Sequence, residues 1–200
     1  MAIFFTGDLH YGHANIIRYC SRPFADVEAM NAALVAGWNA TIAEGDDVYF
    51  LGDMCFFKGG KVPITRLLCE LKGRIHWIKG NHDPSLTRLQ EIQYLLPERI
   101  VWVGQNLVLE YLGEHYFLTH RPMDSSPSMP TICGHVHEKW RALDRGTIMH
   151  EYRSEREVTL KQPALNAGVD AWGFKPVGIE EALSVLKHGP YSKQASPIIE

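Results

Sequence analysis

The sequence predicts an α/β fold with a parallel β-sheet whose carboxyl edge carries polar residues. Apolar runs at 2–6 and 48–51 are typical of strands buried on both faces, and each run is followed at once by Gly-Asp. A helical pattern over 27–43 separates them, which predicts a βαβ unit. Because parallel strands end at the same edge of a sheet, we expect Asp8 and Asp53 to lie close together.

The predicted helix over 27–43 is the best defined element of the first half. Asp26 is a suitable N-cap, and Met30, Leu34 and Trp38 recur at helical spacing, which indicates a face packed in the core. Residues 58–61 lack the full phosphate-binding loop pattern and are expected to form a turn. The other predicted elements of this half are a short helix from about residue 15, a helix over about 64–71, a strand over 74–79, and a helix from 84–85 that ends before residue 97.

Short strands separated by glycine turns follow from about residue 100. The runs at 100–103, 107–111 and 116–119 indicate hairpins, so a second, largely antiparallel sheet is expected to start there. The charged segment 138–162 is expected to be a solvent-exposed irregular segment. The alternative is that its arginines form a basic rim of the site, which receives a charged substrate. The remaining predictions are strands at 131–133 and 164–169, a last helix over about 178–187, a single domain over 1–188 and a flexible tail over 189–200.

Composition limits the class of protein. The 200 residues carry a net charge of -3, with 46% hydrophobic and 22% charged residues, which is ordinary for a globular domain without a basic nucleic-acid footprint. The four cysteines show no paired spacing, which favours free thiols in a reducing compartment. No signal peptide and no apolar run of about 20 residues is visible, so a cytoplasmic protein without a membrane span is expected.

Candidate metal ligands follow five of the predicted strands. Side chains two apart in an extended chain point the same way, which would let Asp8 and His10 share one metal. Carboxylate, imidazole and amide ligands suit Mn²⁺, Fe or Zn²⁺ better than Ca²⁺, and one structural zinc would need only four. Seven ligands suggest two metals that share a bridging carboxylate. The candidates are Asp8 with His10, Asp53, Asn81, His120, and His135 with His137.

The order of these motifs resembles the calcineurin-like metallophosphoesterase superfamily. The motifs D-x-H, G-D, G-N-H-[DE], H and G-H-x-H occur here in order between residues 7 and 137. The stretches 8–24 (D-L-H-Y-G-H-A-N-I-I-R-Y-C-S-R-P-F) and 165–170 (L-N-A-G-V-D) look like a small bacterial and phage branch of predicted phosphoesterases. The resemblance therefore covers most of the chain.

The resemblance implies a four-layer α/β/β/α sandwich, with two mixed β-sheets flanked by helices and a metal site at the carboxyl ends of the strands. It also implies two divalent ions, Mn²⁺ first, with Fe, Zn²⁺, Ni²⁺ or Mg²⁺ as alternatives. A metal-bridging hydroxide would attack the phosphorus atom. The implied first set of ligands is Asp8, His10 and His137, the second is Asn81, His120 and His135, and Asp53 would bridge both.

The resemblance also implies roles for residues that are not ligands. His82 would protonate the leaving group or stabilise charge on the phosphoryl oxygens, and Asp83 would orient it. Arg121 stands where this branch commonly has an aromatic residue, so it is a candidate substrate contact. The other candidate substrate-binding residues, chosen for their position beside the motifs, are His13, Arg18 and Arg22.

The leading hypothesis is a dinuclear metal-dependent phosphohydrolase that cleaves a phosphomonoester or a small phosphodiester. A nuclease acting on RNA or DNA ends would use the same metals, but the acidic balance of the chain counts against it. A catalytically silent interaction scaffold is the third hypothesis, and the presence of all seven ligands and His82 counts against that. The sequence does not predict an oligomeric state.

Overall fold

The predicted βαβ unit is present in the structure, a computed structural model that describes residues 1–56, 61–151 and 156–192. Strands β1 (Ile3–Thr6) and β2 (Asp47–Phe50) pair in parallel, and helix α2 (Val27–Thr41) connects them. The first sheet has five strands in the order β12, β1, β2, β3, β4, completed by β3 (Arg74–Ile78), β4 (Ile100–Gly104) and the antiparallel β12 (Val177–Gly178). The carboxyl ends of β1, β2 and β3 therefore share one edge.

Helix α2 forms as its sequence predicted. The Asp26 side chain accepts a hydrogen bond from the backbone N–H of Ala29, and Met30, Leu34 and Trp38 are buried against the first sheet. The turn predicted at 58–61 lies outside the described residues except for its last position, which begins a helix. The other helices are α1 (Ala14–Tyr19), α3 (Lys61–Glu70), α4 (Leu86–Leu95) and α5 (Ile179–His188).

The second sheet also has five strands and is mixed. Its order is β5, β6, β7, β11, β8. The predicted hairpin of β5 and β6 turns at Leu112 and Gly113, both with positive φ, and the pairs β6–β7 and β7–β11 are parallel. The strands are β5 (Asn106–Tyr111), β6 (Glu114–Thr119), β7 (Thr131–Cys133), β8 (Ala142–Leu143) and β11 (Ala164–Asn166).

The prediction that a largely antiparallel second sheet starts near residue 100 was wrong on two counts. Strand β4 pairs in parallel with β3 and belongs to the first sheet, because α4 returns the chain to the starting end of β3. The turn at residues 104–106 is therefore a crossing between sheets, and the second sheet begins only with β5. Two of its pairs are parallel because β7 and β11 are reached through long connections.

The charged segment 138–162 is more ordered than expected. Strands β9 (Ile148–His150) and β10 (Glu157–Thr159) pair antiparallel, although residues 152–155 are not described. Trp140, Met149 and Leu160 in this segment are buried in a small core beside the second sheet. Strands of two or three residues are too short to show an alternating pattern in the sequence, so only the charges were visible.

Alternate residues of the central strands face two different cores. Phe50 of β2 packs toward the helices, whereas Tyr49 beside it packs toward the second sheet. The architecture is thus two mixed sheets face to face with helices around them, as the fold-class prediction stated. Helix α5 contacts strands of both sheets.

The described end of the chain is held against the second sheet. The N–H of Ser192 donates to the carbonyl of Ala142 at 2.9 Å, and the Tyr191 hydroxyl donates to Leu186 at 2.9 Å. The predicted tail therefore makes contacts at 189–192, and 193–200 lie outside the described residues. All four cysteines are free thiols. Within the described ranges, no helix has the length and apolar character that a membrane span requires.

Candidate metal centre

The ends of β1, β2 and β3 bring the first group of predicted residues together. The backbone N–H of Asp8 donates to Gly52 at 2.9 Å, and that of His10 donates to Asp53 at 3.0 Å. These bonds tie the loop after β1 to the loop after β2. Asp8, His10 and Asp53 are almost completely buried at this junction.

The second sheet supplies the histidines. His120 follows β6, and His135 and His137 follow β7. The backbone N–H of His135 donates to both carboxylate oxygens of Asp8, at 3.0 and 2.8 Å. The predicted ligands of the two sheets are therefore held together by direct hydrogen bonds.

The backbone at these positions is left-handed and not extended. Asp8, His10, Asp53, His135 and His137 have φ of 56°, 50°, 60°, 74° and 48°. Non-glycine residues rarely adopt such angles, and each costs roughly 1–3 kcal/mol. The assumption that Asp8 and His10 point the same way along an extended chain was wrong; tight left-handed turns bring them together.

Two overlapping groups made only of predicted ligands have the spacing that a metal ion requires. Ligand atoms of Asp8, His10 and His137 lie within 4.8 Å of one another, and so do those of Asp8, Asp53 and His120. Neither ring nitrogen of His10 has a hydrogen-bond partner in the described part of the chain, although the residue is only 2% exposed. Since a buried polar atom without a partner is costly, a divalent ion fits this donor set.

His120 presents one defined nitrogen to the cluster. Its Nδ1–H donates to the carbonyl of Leu51 at 2.7 Å, which leaves Nε2 facing the other ligands. That Nε2 lies 2.8 Å from Oδ1 of Asn81, 3.2 Å from Nδ1 of His135 and 3.4 Å from Oδ2 of Asp53. Four ligand-type side chains thus converge on one point.

The pKa values of the buried groups are strongly displaced. Burial raises the pKa of Asp8 to about 6. Burial also opposes ionisation of Asp53, but the neighbouring His120 and His10 outweigh it and hold the Asp53 pKa well below its usual value. The same pairing raises the pKa of His120 to about 9 against the effect of burial, whereas burial and His120 lower the pKa of His135 to about 3. Such displacements are concentrated at functional sites.

The loop after β3 is built around Asp83. Its carboxylate accepts hydrogen bonds from the backbone N–H of Gly80, Asp53 and Met54 and from the indole N–H of Trp77, at 2.8 to 3.0 Å. Asp83 was expected to orient His82, but these four donors occupy its carboxylate, and no hydrogen bond to the His82 ring is present among the described residues. Asp83 therefore holds the backbone of the loops after β2 and β3 through hydrogen bonds.

His82 is attached to the cluster through its backbone. Its N–H donates to Oδ1 of Asp53 at 2.8 Å, while its imidazole is exposed, with the ring centroid 5.2 Å from that of His10. The His82 ring is thus close to the candidate ligands but makes no hydrogen bond to them within the described part of the chain.

The predicted substrate-binding residues have different surroundings. His13 is half-buried, stacks on Phe56 with ring centroids 4.4 Å apart, and lines the cavity over the cluster. The exposed Arg18 lies over the ring of its neighbour Tyr19. Arg121 forms an ion pair with Glu151.

The prediction for Arg22 was wrong. Its side chain is fully buried and its guanidinium pairs with Asp170, with N–O distances of 2.8 Å to both carboxylate oxygens. It also donates to the backbone carbonyls of Asp8 and Leu9. Because every guanidinium nitrogen donates to a protein oxygen, Arg22 is not available to substrate. It instead stabilises the loop after β1 that carries Asp8.

A cavity of about 190 Å³ opens over the cluster. It is lined by candidate ligands, by His82 and by residues that the sequence did not single out, including Tyr19, Cys20 and Lys139. Tyr19 is 59% exposed at the rim. Nothing in the local sequence marks these residues, because they reach the cavity only through the packing of α1 beside the loop after β7.

Asp170 is the most significant residue that was missed. Its Oδ2 lies 3.0 Å from Nδ1 of His137. Burial opposes its ionisation, but the contacts with His137 and Arg22 hold its pKa below the usual value. The stretch 165–170 was recognised only as a resemblance, and its spacing gave no sign of this contact.

Comparison with known proteins places this geometry in a family. The chain matches the calcineurin-like phosphoesterase family over residues 1–172. An uncharacterized protein of Methanocaldococcus jannaschii is 32% identical over 191 residues, 94% of this chain and 92% of that protein. The Gene 66 protein of Mycobacterium phage L5 is 26% identical over 204 residues, 92% and 93% of the two chains.

A solved structure supports the fold independently. A protein of unknown function from Aquifex aeolicus superposes with a TM-score of 0.61 at 20% identity, covering 92% of this chain and 98% of that one. The family match and the clustered candidate ligands together place the chain in a class of metal-dependent hydrolases. Within that class, the chain belongs to the calcineurin-like phosphoesterase family and is a hydrolase of phosphate ester bonds.

Proposed function

We propose that the chain is a dinuclear phosphohydrolase that cleaves a phosphomonoester or a small phosphodiester. The position of Asp53 is the observation that carries this proposal. Its Oδ2 lies 3.6 Å from Nε2 of His10 and 3.4 Å from Nε2 of His120. A carboxylate between one ligand of each set is the arrangement that two neighbouring ions require.

The donor set supports the assignment of ligands that the family resemblance implied. The first ion would be held by Asp8, His10 and His137, the second by Asn81, His120 and His135, with Asp53 on both. When bound, the two ions, Mn²⁺ first among the candidates, would supply positive charge toward the phosphoryl oxygens and lower the pKa of a nucleophilic water. Iron, Zn²⁺, Ni²⁺ and Mg²⁺ are the alternatives.

His82 has the position of a general acid. Its ring is exposed in the cavity and its backbone is fixed on Asp53, so the imidazole can reach an ester oxygen without leaving the loop. Donation of a proton to the leaving oxygen would prevent the build-up of negative charge there. Asp83 contributes by holding the backbone from which His82 extends.

The cavity favours a small phosphorylated substrate. Its volume of about 190 Å³ is below the range usual for drug-sized ligands. His13 lines this cavity, and Arg18, although exposed, is not among the residues that line it. The net charge of -3 does not favour a polynucleotide.

A panel of phosphomonoesters and phosphodiesters tests the proposal. Chelated protein is assayed with Mn²⁺, Ni²⁺, Mg²⁺ or Zn²⁺, beside an Asp53→Asn variant. We expect metal-dependent release of the leaving group from at least one small ester and a large loss in the variant. Folded protein that hydrolyses no small ester with any of these ions would contradict the proposal, and salt-sensitive cleavage of polynucleotides alone would favour a nuclease.

A further inference from the structure

We propose that Asp170 is a positioning residue for the metal centre, which acts together with Arg22 and Asn166 to hold His137 and the loop after β1 in ligand geometry. The inference rests on the proposed function, because it concerns the ligands of the first ion. It assigns a role to the stretch 165–170, which neither the ligand set nor the general acid uses.

Asp170 fixes which nitrogen of His137 is available. The Asp170 side chain is 2% exposed and its Oδ2 lies 3.0 Å from Nδ1 of His137. An ionised carboxylate can only accept a hydrogen bond, so Nδ1 donates to Asp170 and Nε2 is the nitrogen left to face an ion. A metal-binding histidine is commonly held by such a carboxylate.

Arg22 extends the same contact to the other ligands of the first set. One edge of its guanidinium, formed by Nε and Nη2, donates to both carboxylate oxygens of Asp170 at 2.8 Å. Nη2 also donates to the carbonyl of Asp8 at 2.7 Å, and the remaining nitrogen, Nη1, donates to the carbonyl of Leu9 at 2.9 Å. These carbonyls belong to the left-handed turn that presents Asp8 and His10, so one buried ion pair steadies all three ligands.

Asn166 holds the backbone of His137. Its Nδ2 donates to the carbonyls of His137 at 2.7 Å and Trp140 at 2.8 Å, and its Oδ1 accepts from the N–H of Gly168 at 2.9 Å. Asn166 ends β11, which lies parallel to β7, the strand that His137 follows. Strand pairing therefore places Asn166 beneath the His137 loop and Asp170 beside its ring.

A further metal site at Asp170 is the competing interpretation. Ligand atoms of Cys20, His137 and Asp170 do lie within 4.8 Å of one another. However, the Arg22 cation contacts both oxygens of Asp170, and a second cation there would be repelled. The structure therefore assigns Asp170 to support of His137.

The chain contains a matched control at the opposite end of β2. Asp47 makes the same type of contact, with Arg74 at 2.8 Å and with Nε2 of His76 at 3.1 Å. Asp47 begins β2, whereas the candidate metal ligand Asp53 follows its end. The Asp47 group is more exposed, but Asp47→Asn removes the same charge from the same kind of triad without touching a ligand.

Mn²⁺ binding distinguishes the two variants. Isothermal titration and electron paramagnetic resonance are applied to the chelated wild-type protein, Asp170→Asn and Asp47→Asn. We expect two ions in the wild type and in Asp47→Asn. In Asp170→Asn, one ion should bind 10- to 100-fold more weakly while the other keeps its affinity, so that the spectrum of coupled ions gives way to that of isolated Mn²⁺.

The outcomes separate this inference from the proposed function. Unchanged affinities in Asp170→Asn, or equal weakening of both ions, would overturn the positioning role while leaving the dinuclear proposal intact. A wild type that binds fewer than two ions would overturn both. If Asp170→Asn does not fold, Arg22→Lys provides the same test, because one ammonium keeps the buried charge but cannot reach Asp170 and both carbonyls.

Discussion

Gly80 lies where a side chain would displace the carboxylate proposed to be shared by the two ions. A Cβ built on it would fall 2.1 Å from Oδ1 of Asp53. The same oxygen accepts the backbone N–H of His82, so this hydrogen bond fixes the proposed general acid to the carboxylate proposed to be shared. At the scale of single residues, the centre depends on this close approach of two loops.

Gly80→Ala is therefore expected to abolish high-affinity binding of at least one Mn²⁺ per chain. The new methyl group must push Asp53 away from both neighbouring histidines. Gly45→Ala is the matched control, since its Cβ would have no neighbour within 4 Å. Titration calorimetry measures the effect, and two tightly bound ions in Gly80→Ala would show that the Asp53 position is not required.

His82→Ala is expected to keep both ions and lose kcat by about 10²- to 10⁴-fold, the usual contribution of a general acid. Ion binding should persist because the backbone N–H, and not the ring, contacts Asp53. His115→Ala, which removes an exposed histidine on β6, is the control. Steady-state kinetics on one ester decides the matter, and an undiminished kcat would exclude the general-acid role.

The elements that the sequence predicted well are those specified by local signals. Helix α2 has a cap and a long apolar stripe, and both are present as expected. The sheet to which β4 belongs was predicted incorrectly, because a glycine turn in the sequence does not say which strand the chain will join next. When the pairing partner of a strand lies far along the chain, the local sequence does not predict it, and only the tertiary structure shows it.

The same distinction applies to the candidate site. The seven ligand candidates each follow a strand, so a local rule was enough to select them as candidates. The positive φ of five of them could not be predicted, since the sequence around these aspartates and histidines does not require a left-handed backbone. The error at Arg22 has a similar cause, because its partner Asp170 is 148 residues away in the sequence.

Packing of α2 sets the stability of the first sheet. Leu34 is 2% exposed and packs with β2 and β3 in the first core. Leu34→Ala should lower the free energy of unfolding by about 2–5 kcal/mol, through lost burial and the cavity left behind. Leu95→Ala removes an equal side chain that is 56% exposed on α4 and should change it by less than about 0.5 kcal/mol. Urea unfolding compares them, and equal effects would contradict the assigned core.

The whole molecule places the centre at the junction of two sheets. Asp8, His10, Asp53 and Asn81 come from the first sheet, and His120, His135 and His137 come from the second. Neither sheet alone offers a complete set for either proposed ion, since His137 completes the first and Asn81 the second. Both sheets are therefore needed to form the proposed centre. The ion pair between Arg22, which precedes α2, and Asp170, which follows β11, is one of the contacts that connect them.

Stepwise return of Mn²⁺ to chelated protein tests the central claim most directly. Ester hydrolysis is measured against the number of ions bound per chain. We expect negligible hydrolysis without metal, little with one ion, and the full rate as the second ion binds, because both ligand sets and the shared Asp53 must be occupied. A full rate in chelated protein, or with only one ion bound, would contradict a dinuclear phosphohydrolase.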